Sequence, residues 1–173
     1  LRAVRSLVAE IGSELDKKCI PYKKDIAIGV MIETPSAAIT ADLLAKEADF
    51  FSIGTNDLIG YTMAVDRGNA DVAYLYSAFS PAVLRSVRHV ISEGKKAGIP
   101  VGMCGEAAAD PMMIPLLVSF GLDEYSVTPS SVLAVRKEIS RWSKAEADKV
   151  AERVMSLAGE KEIVAELGRL VKK

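Results

Sequence analysis

A parallel α/β fold is what this sequence predicts, and three observations predict it. Short apolar runs rich in Val, Ile and Phe alternate with longer segments of helical period, the mark of βαβ units on a parallel sheet. Four such units follow one another, and each runs from its strand straight into a polar, small-residue segment before the next helix. An eight-unit barrel takes about 250 residues. Four units in 173 residues therefore make half of such a barrel, an open sheet, or a half that pairs with another.

The opening LRAVRSLVAEIGSELDKK has the period of an amphipathic helix and carries acids, unlike a signal peptide with its basic end and apolar centre. The first strand is expected over 26–32 with a helix over 35–46. The second covers 49–53, followed by GTNDL and a helix over 82–97. The third covers 100–103, followed by GEAAADP and a helix ending at Phe120; the fourth covers 124–127 with a helix over 131–142. The tail, 143–173, predicts one or two amphipathic helices broken near Gly159, a cover for the fold or a subunit contact. The division is thus 1–142 for the βα units and 143–173 for the tail.

Lys and Arg number 22 against 23 Asp and Glu, so the net charge of −1 gives no general attraction to nucleic acid or to an anionic membrane. Charged residues or glycine break every apolar run short of the roughly 18 residues of a membrane span. The two cysteines, Cys19 and Cys104, are too far apart for a CxxC pair and are expected as free thiols in a cytoplasmic protein. Neither GxxxxGK[ST] nor GxGxxG occurs, so nucleotide binding has no support.

Chemistry is expected at the carboxyl ends of the strands. IGVMIETP puts Glu33 directly after an apolar strand. It is either a ligand-facing acid or a helix cap in solvent, because Thr34 and Pro35 are themselves good helix-start residues. SIGTNDL repeats the arrangement with Asn56 and Asp57, for which an ordinary polar turn is the plain alternative. Parallel neighbours end on one side, so Glu33 and Asp57 come within reach of one hard cation. Two carboxylates with substrate oxygens and water are the usual provision for Mg2+.

AVDRGN places Arg67 in a polar loop, where its fork suits two phosphate oxygens or pairs with a surface acid such as Asp66. VGMCGEAAADP sets Cys104 between Gly102 and Gly105 at the end of the third strand. A thiol there serves as nucleophile or as acid and base, against the commoner role of a small buried hydrophobe. His89, the single histidine, falls within a helix beside Arg85 and Arg88 and reads as a surface or packing residue. Cys19, near Pro21, lies off the strand pattern.

Taken in order and spacing, IGVMIETPSAA, DFFSIGTNDLIGYTMAVDRGN, SPAVLRSV, GMCGEAAADP and GLDEYSVTPSS resemble the phosphoenolpyruvate-binding domain of the enzyme I family of the bacterial sugar phosphotransferase system, over about 26–142. Pyruvate phosphate dikinase and phosphoenolpyruvate synthase share the ETP, ND and CG elements, but YTMAVDRGN is more similar to enzyme I. The resemblance implies the last four units of a (β/α)8 TIM barrel of the phosphoenolpyruvate/pyruvate family. It implies phosphoryl transfer from phosphoenolpyruvate to a histidine on a separate domain, release of pyruvate, a histidine-containing phosphocarrier protein as partner, and a homodimer.

By the same resemblance Glu33 and Asp57 match Mg2+ ligands, Asn56, Asp57 and Arg67 match substrate-binding residues, and Cys104 matches the proton donor to the enolate. Family barrels also carry arginines on early strands and a histidine-bearing domain, neither of which has a counterpart before Ile26. The chain alone is therefore expected not to turn over. Ile59 and Gly60 stand where many relatives have a Gln after NDL. The competing readings are a Mg2+-dependent 2-oxo acid lyase, for which Cys104 would be dispensable, and a non-catalytic dimerisation module.

Overall fold

The computed structural model describes residues 1–171, so the last two residues of the expected 143–173 tail lie outside the described residues. Helix α1 (Arg2–Lys17) leads the chain, and its stripe of Val4, Leu7, Val8 and Ile11 is exposed. Its first turns are fastened by pairs from Arg2 to Glu47 and from Arg5 to Asp49, the latter at 2.9 Å.

Strand β1 (Val30–Ile32) is shorter than the expected 26–32. The ladder with the next strand starts only at Val30, because Asp49 occupies the preceding position with its own groups. Its carboxylate accepts the Ile28 N–H at 2.6 Å, and its N–H donates to the Ile28 carbonyl at 3.0 Å. The helix expected over 35–46 is two short ones, α2 (Pro35–Ile39) and α3 (Ala41–Leu44). They part at Thr40, whose hydroxyl bonds back to the Ser36 carbonyl at 2.8 Å, a contact that bends helices.

Strand β2 (Phe51–Gly54) runs without a loop into α4 (Thr55–Met63), a helix that the sequence pattern did not reveal. After a 3-10 turn over Ala73–Leu75 comes α5 (Pro81–Ala97), close to its expected 82–97. Pro81 starts it in the first turn, Gly98 ends it with φ +74°, and Val83, Leu84, Val87, Val90 and Ile91 form its buried face.

Strand β3 (Val101–Cys104) leads through a 3-10 turn at Glu106–Ala109 to α6 (Ile114–Phe120). Strand β4 (Glu124–Tyr125) is followed by α7 (Val132–Ser140). The tail forms α8 (Lys144–Met155), opened by a Ser143/Glu146 capping box, and α9 (Glu160–Val171), with the break before Glu160 where Gly159 predicted it.

All four strands are parallel and lie in chain order, β1-β2-β3-β4. Ile32, Ile53, Met103 and Tyr125 stand in register on one face, where α5 and α6 supply Leu84, Val87, Leu116 and Leu117 to the same core. The tail joins that core, since α8 packs along α6 and Val154, Ile163 and Leu167 are fully buried. Of the two readings of the tail, the cover for the fold is therefore observed. Met31, Ser52, Gly102 and Glu124 form the matching row on the opposite face, where Met31 is 44 % exposed. The result is an α/β layer with a parallel sheet whose chain-order strands contain no reversal of direction of winding.

Candidate functional site

The carboxyl ends of β1, β2 and β3 meet at one rim. Glu33 follows β1 and is half-buried, with its carboxylate lying over Gly54 at the end of β2. A Cβ on Gly54 would stand 2.9 Å from the Glu33 Cβ and 3.0 Å from Oε2, so the missing side chain makes the space that Glu33 fills. The cap of α2 is Thr34, whose hydroxyl accepts the Ala37 N–H at 3.3 Å, and Glu33 is thereby left free of capping duty. Cys104 ends β3, half-buried, with Sγ 4.0 Å from the Met31 Sδ on β1.

The rim is tied together by backbone and hydroxyl contacts. Thr55, 2 % exposed, donates its hydroxyl to the Cys104 carbonyl at 2.8 Å, which satisfies a buried polar group and fixes β3 to the start of α4. Gly105 follows with φ +89° and ψ −178°, a region essentially closed to other residues. A Cβ there would overlap Thr55 Oγ1 and come within 3.1 Å of Asn56 Oδ1.

Beside this rim opens a cleft of about 510 Å³ lined by Asn56, Asp57, Gly60, Arg67 and Tyr76, among others. Asn56 and Asp57 belong to the first turn of α4 and not to a free turn, and an acid there is favoured by the helix dipole. The Asn56 side-chain oxygen accepts the Glu106 N–H at 3.4 Å, so this residue faces both the cleft and the β3 rim. Asp66, the surface acid considered as partner for Arg67, turns instead to its own loop and accepts the Gly68 N–H at 2.8 Å. Asp66 and Arg67 both line the cleft.

Tyr76, which no local sequence pattern singled out, donates its hydroxyl to the Asn56 carbonyl at 2.8 Å. Burial pushes its pKa above the ordinary phenol value; the Arg67 cation opposes the rise, and the Glu106 and Asp57 carboxylates reinforce it. The group is neutral at physiological pH.

Of the five residues expected at the site, Asn56, Asp57 and Arg67 line the cleft, whereas Glu33 and Cys104 stand at the adjoining strand ends. His89 is on α5 with Nδ1 3.8 Å from Glu93, in keeping with a surface role. Cys19 is exposed beyond α1 at φ +54°. A larger hollow of about 880 Å³ lies at α8 and α9, but its Arg153 and Arg169 both pair with Glu166.

Among the described residues no three His, Cys, Asp or Glu side chains gather as a metal cage. Glu33 and Asp57 are hard oxygen donors, suited to a cation that takes its other oxygens from substrate and water and not to a closed thiolate or imidazole site.

A parallel sheet with acids and a thiol at its strand ends, beside a cleft that Arg67 lines, defines an α/β protein with its polar groups gathered at one rim, and comparison with known families gives it a place. Residues 1–144 match the family described as PEP-utilising enzyme, PEP-binding domain, and the chain belongs to that family. It is 46% identical over 164 residues to the phosphoenolpyruvate-protein phosphotransferase of Geobacillus stearothermophilus, covering 95% of this chain and 28% of that protein. The Bacillus subtilis (strain 168) protein of the same name is 46% identical over 95% of this chain and 29% of its own length. That of Staphylococcus aureus is 42% identical over 99% and 30%. The chain spans less than a third of the length of these curated relatives.

Proposed function

We propose that this chain supplies the metal-binding and proton-donating part of a site that moves the phosphoryl group of phosphoenolpyruvate to a protein histidine and releases pyruvate. The observation that carries the proposal is the convergence of Asn56, Asp57 and Arg67 on one cleft beside Glu33 and Cys104, in a chain similar to proteins named phosphoenolpyruvate-protein phosphotransferase. In this reading 1–142 are the last four units of a (β/α)8 barrel and 143–173 its helical cover. A separate domain that bears the acceptor histidine, a histidine-containing phosphocarrier protein as partner, a homodimer and a cytoplasmic location accompany it.

Glu33 and Asp57 would hold Mg2+, which supplies positive charge against phosphate and carboxylate oxygens. Arg67 binds two phosphate oxygens with its planar fork and carries charge to where it develops as the P–O bond breaks. Asn56 orients the same group by hydrogen bonding. Cys104 holds a proton at Sγ on the β3 rim and delivers it to the methylene carbon of the enolate, which becomes basic only after the phosphoryl group has left. His89, part-exposed on α5 with Nδ1 3.8 Å from Glu93, is read as a surface residue and not as the acceptor histidine.

Calorimetric titration of phosphoenolpyruvate with Mg2+ into the chain and its Glu33→Ala variant tests the proposal. Binding that the variant loses supports it; binding of equal strength by both proteins rejects Glu33 as a ligand. Pyruvate formation in an intact phosphotransferase carrying this chain should stop in Cys104→Ala, and the chain by itself should phosphorylate no carrier.

A further inference from the structure

Arg67 sits in an exposed loop on a long, flexible side chain, and such a group binds an anion well only when something limits its rotamers. Among the described residues the aromatic hydroxyl bonded across the cleft to α4 is that of Tyr76, twenty positions beyond Asn56. Its proton is committed to the Asn56 carbonyl at 2.8 Å, so the oxygen's lone pairs remain for a donor. Arg67 lines the same cleft, and its cation opposes the rise that burial gives the Tyr76 pKa. The ring passes Gly60, where an added Cβ would lie 3.9 Å from Tyr76 Cε2.

We propose that Tyr76 is a positioning residue that orients the Arg67 guanidinium toward the anion end of the cleft; only the identity of the anion rests on the phosphoenolpyruvate reading. A phenol suits this duty better than a carboxylate. It accepts from the guanidinium without neutralising it, so the full positive charge stays available for the ligand. The same hydroxyl links the Arg67 loop to the first turn of α4, which makes Arg67, Asn56 and Asp57 one unit.

The test uses the chain with 15N-labelled arginine side chains and the Tyr76→Phe variant, which keeps the ring and removes one oxygen. The Arg67 Nε–H should exchange with water several-fold faster in the variant while the backbone spectrum away from the cleft is unchanged. Phosphoenolpyruvate with Mg2+ should bind about tenfold more weakly, the scale of one hydrogen bond to a charged group. In an Arg67→Ala background Tyr76→Phe should cause no further loss. Unchanged Arg67 exchange in a folded variant, or a full additive loss in the double variant, overturns the proposal. Loosened Arg67 in a chain whose wild type does not bind phosphoenolpyruvate supports the positioning role and rejects the assigned ligand. Should the phenylalanine variant fold poorly, Arg67→Ala serves in reverse: it should shift the Tyr76 Cζ resonance, and an unmoved resonance overturns the proposal.

Discussion

The Thr55 hydroxyl and the Cys104 carbonyl are joined by a 2.8 Å hydrogen bond, so the residue that opens α4 holds the last residue of β3. Through this contact the thiol's backbone is positioned by the neighbouring βα unit. Replacing Thr55 with Val keeps the shape and strands the carbonyl, at a cost of about 1–3 kcal/mol. Thr55→Ser retains the hydroxyl and should lose less. Denaturant unfolding measures both, and alkylation of Cys104 should be faster in the Val variant alone.

Two glycines with positive φ separate strain from overlap. Gly98 (φ +74°) has nothing within 4 Å of an added Cβ, whereas at Gly105 (φ +89°) that atom would overlap Thr55 Oγ1. Gly98→Ala should cost about 1–2 kcal/mol from backbone strain alone. Gly105→Ala should cost more, about 3 kcal/mol or above, because strain and overlap add. Equal losses in unfolding experiments would remove the close approach at the rim from the explanation.

Acid should release the clasp between α1 and β2. The Asp49 carboxylate is held below its ordinary value of 3.8, chiefly by the Ile28 N–H and then by Arg5. A depressed folded value means stabilisation that is complete above the unfolded value and lost as pH falls through the lower folded one. Asp49→Asn should therefore show its full deficit in Tm at neutral pH. That deficit should begin to shrink below about pH 4 and vanish once the pH has fallen through the lower folded value, where the wild-type carboxylate also loses its charge.

The tail is part of the core and should behave so. Leu167→Ala, at a side chain with 0 % exposure, should destabilise by about 2–5 kcal/mol, and the loss should appear in one cooperative transition with the rest. A separate early transition for α8 and α9 would contradict the packing of α8 along α6.

What could be read from the sequence follows from which forces are local. Strand-to-helix alternation, the approximate bounds of α5 and the break near Gly159 were legible because propensity and apolar period act over a few residues. The α4 helix was hidden because GTNDL is good turn chemistry as well as a good helix start. The division at Thr40 and the shortened β1 depend on the Thr40 hydroxyl and on Asp49, and no periodicity reports either. The residues proposed for the site were singled out by their position after the strands. Tyr76 was not, since it reaches Asn56 only through the tertiary path of a loop.

The chain-order sheet also sets the sequence in which the site comes into being during synthesis. Each strand docks on the one made immediately before it, so no early strand waits for a distant partner. Glu33 emerges first, then Asn56, Asp57, Arg67 and Tyr76, and the thiol of Cys104 arrives on β3 after the residues that line the cleft are already in the chain. A nascent chain is thus able to shape its cleft before it possesses the group that would carry the proton.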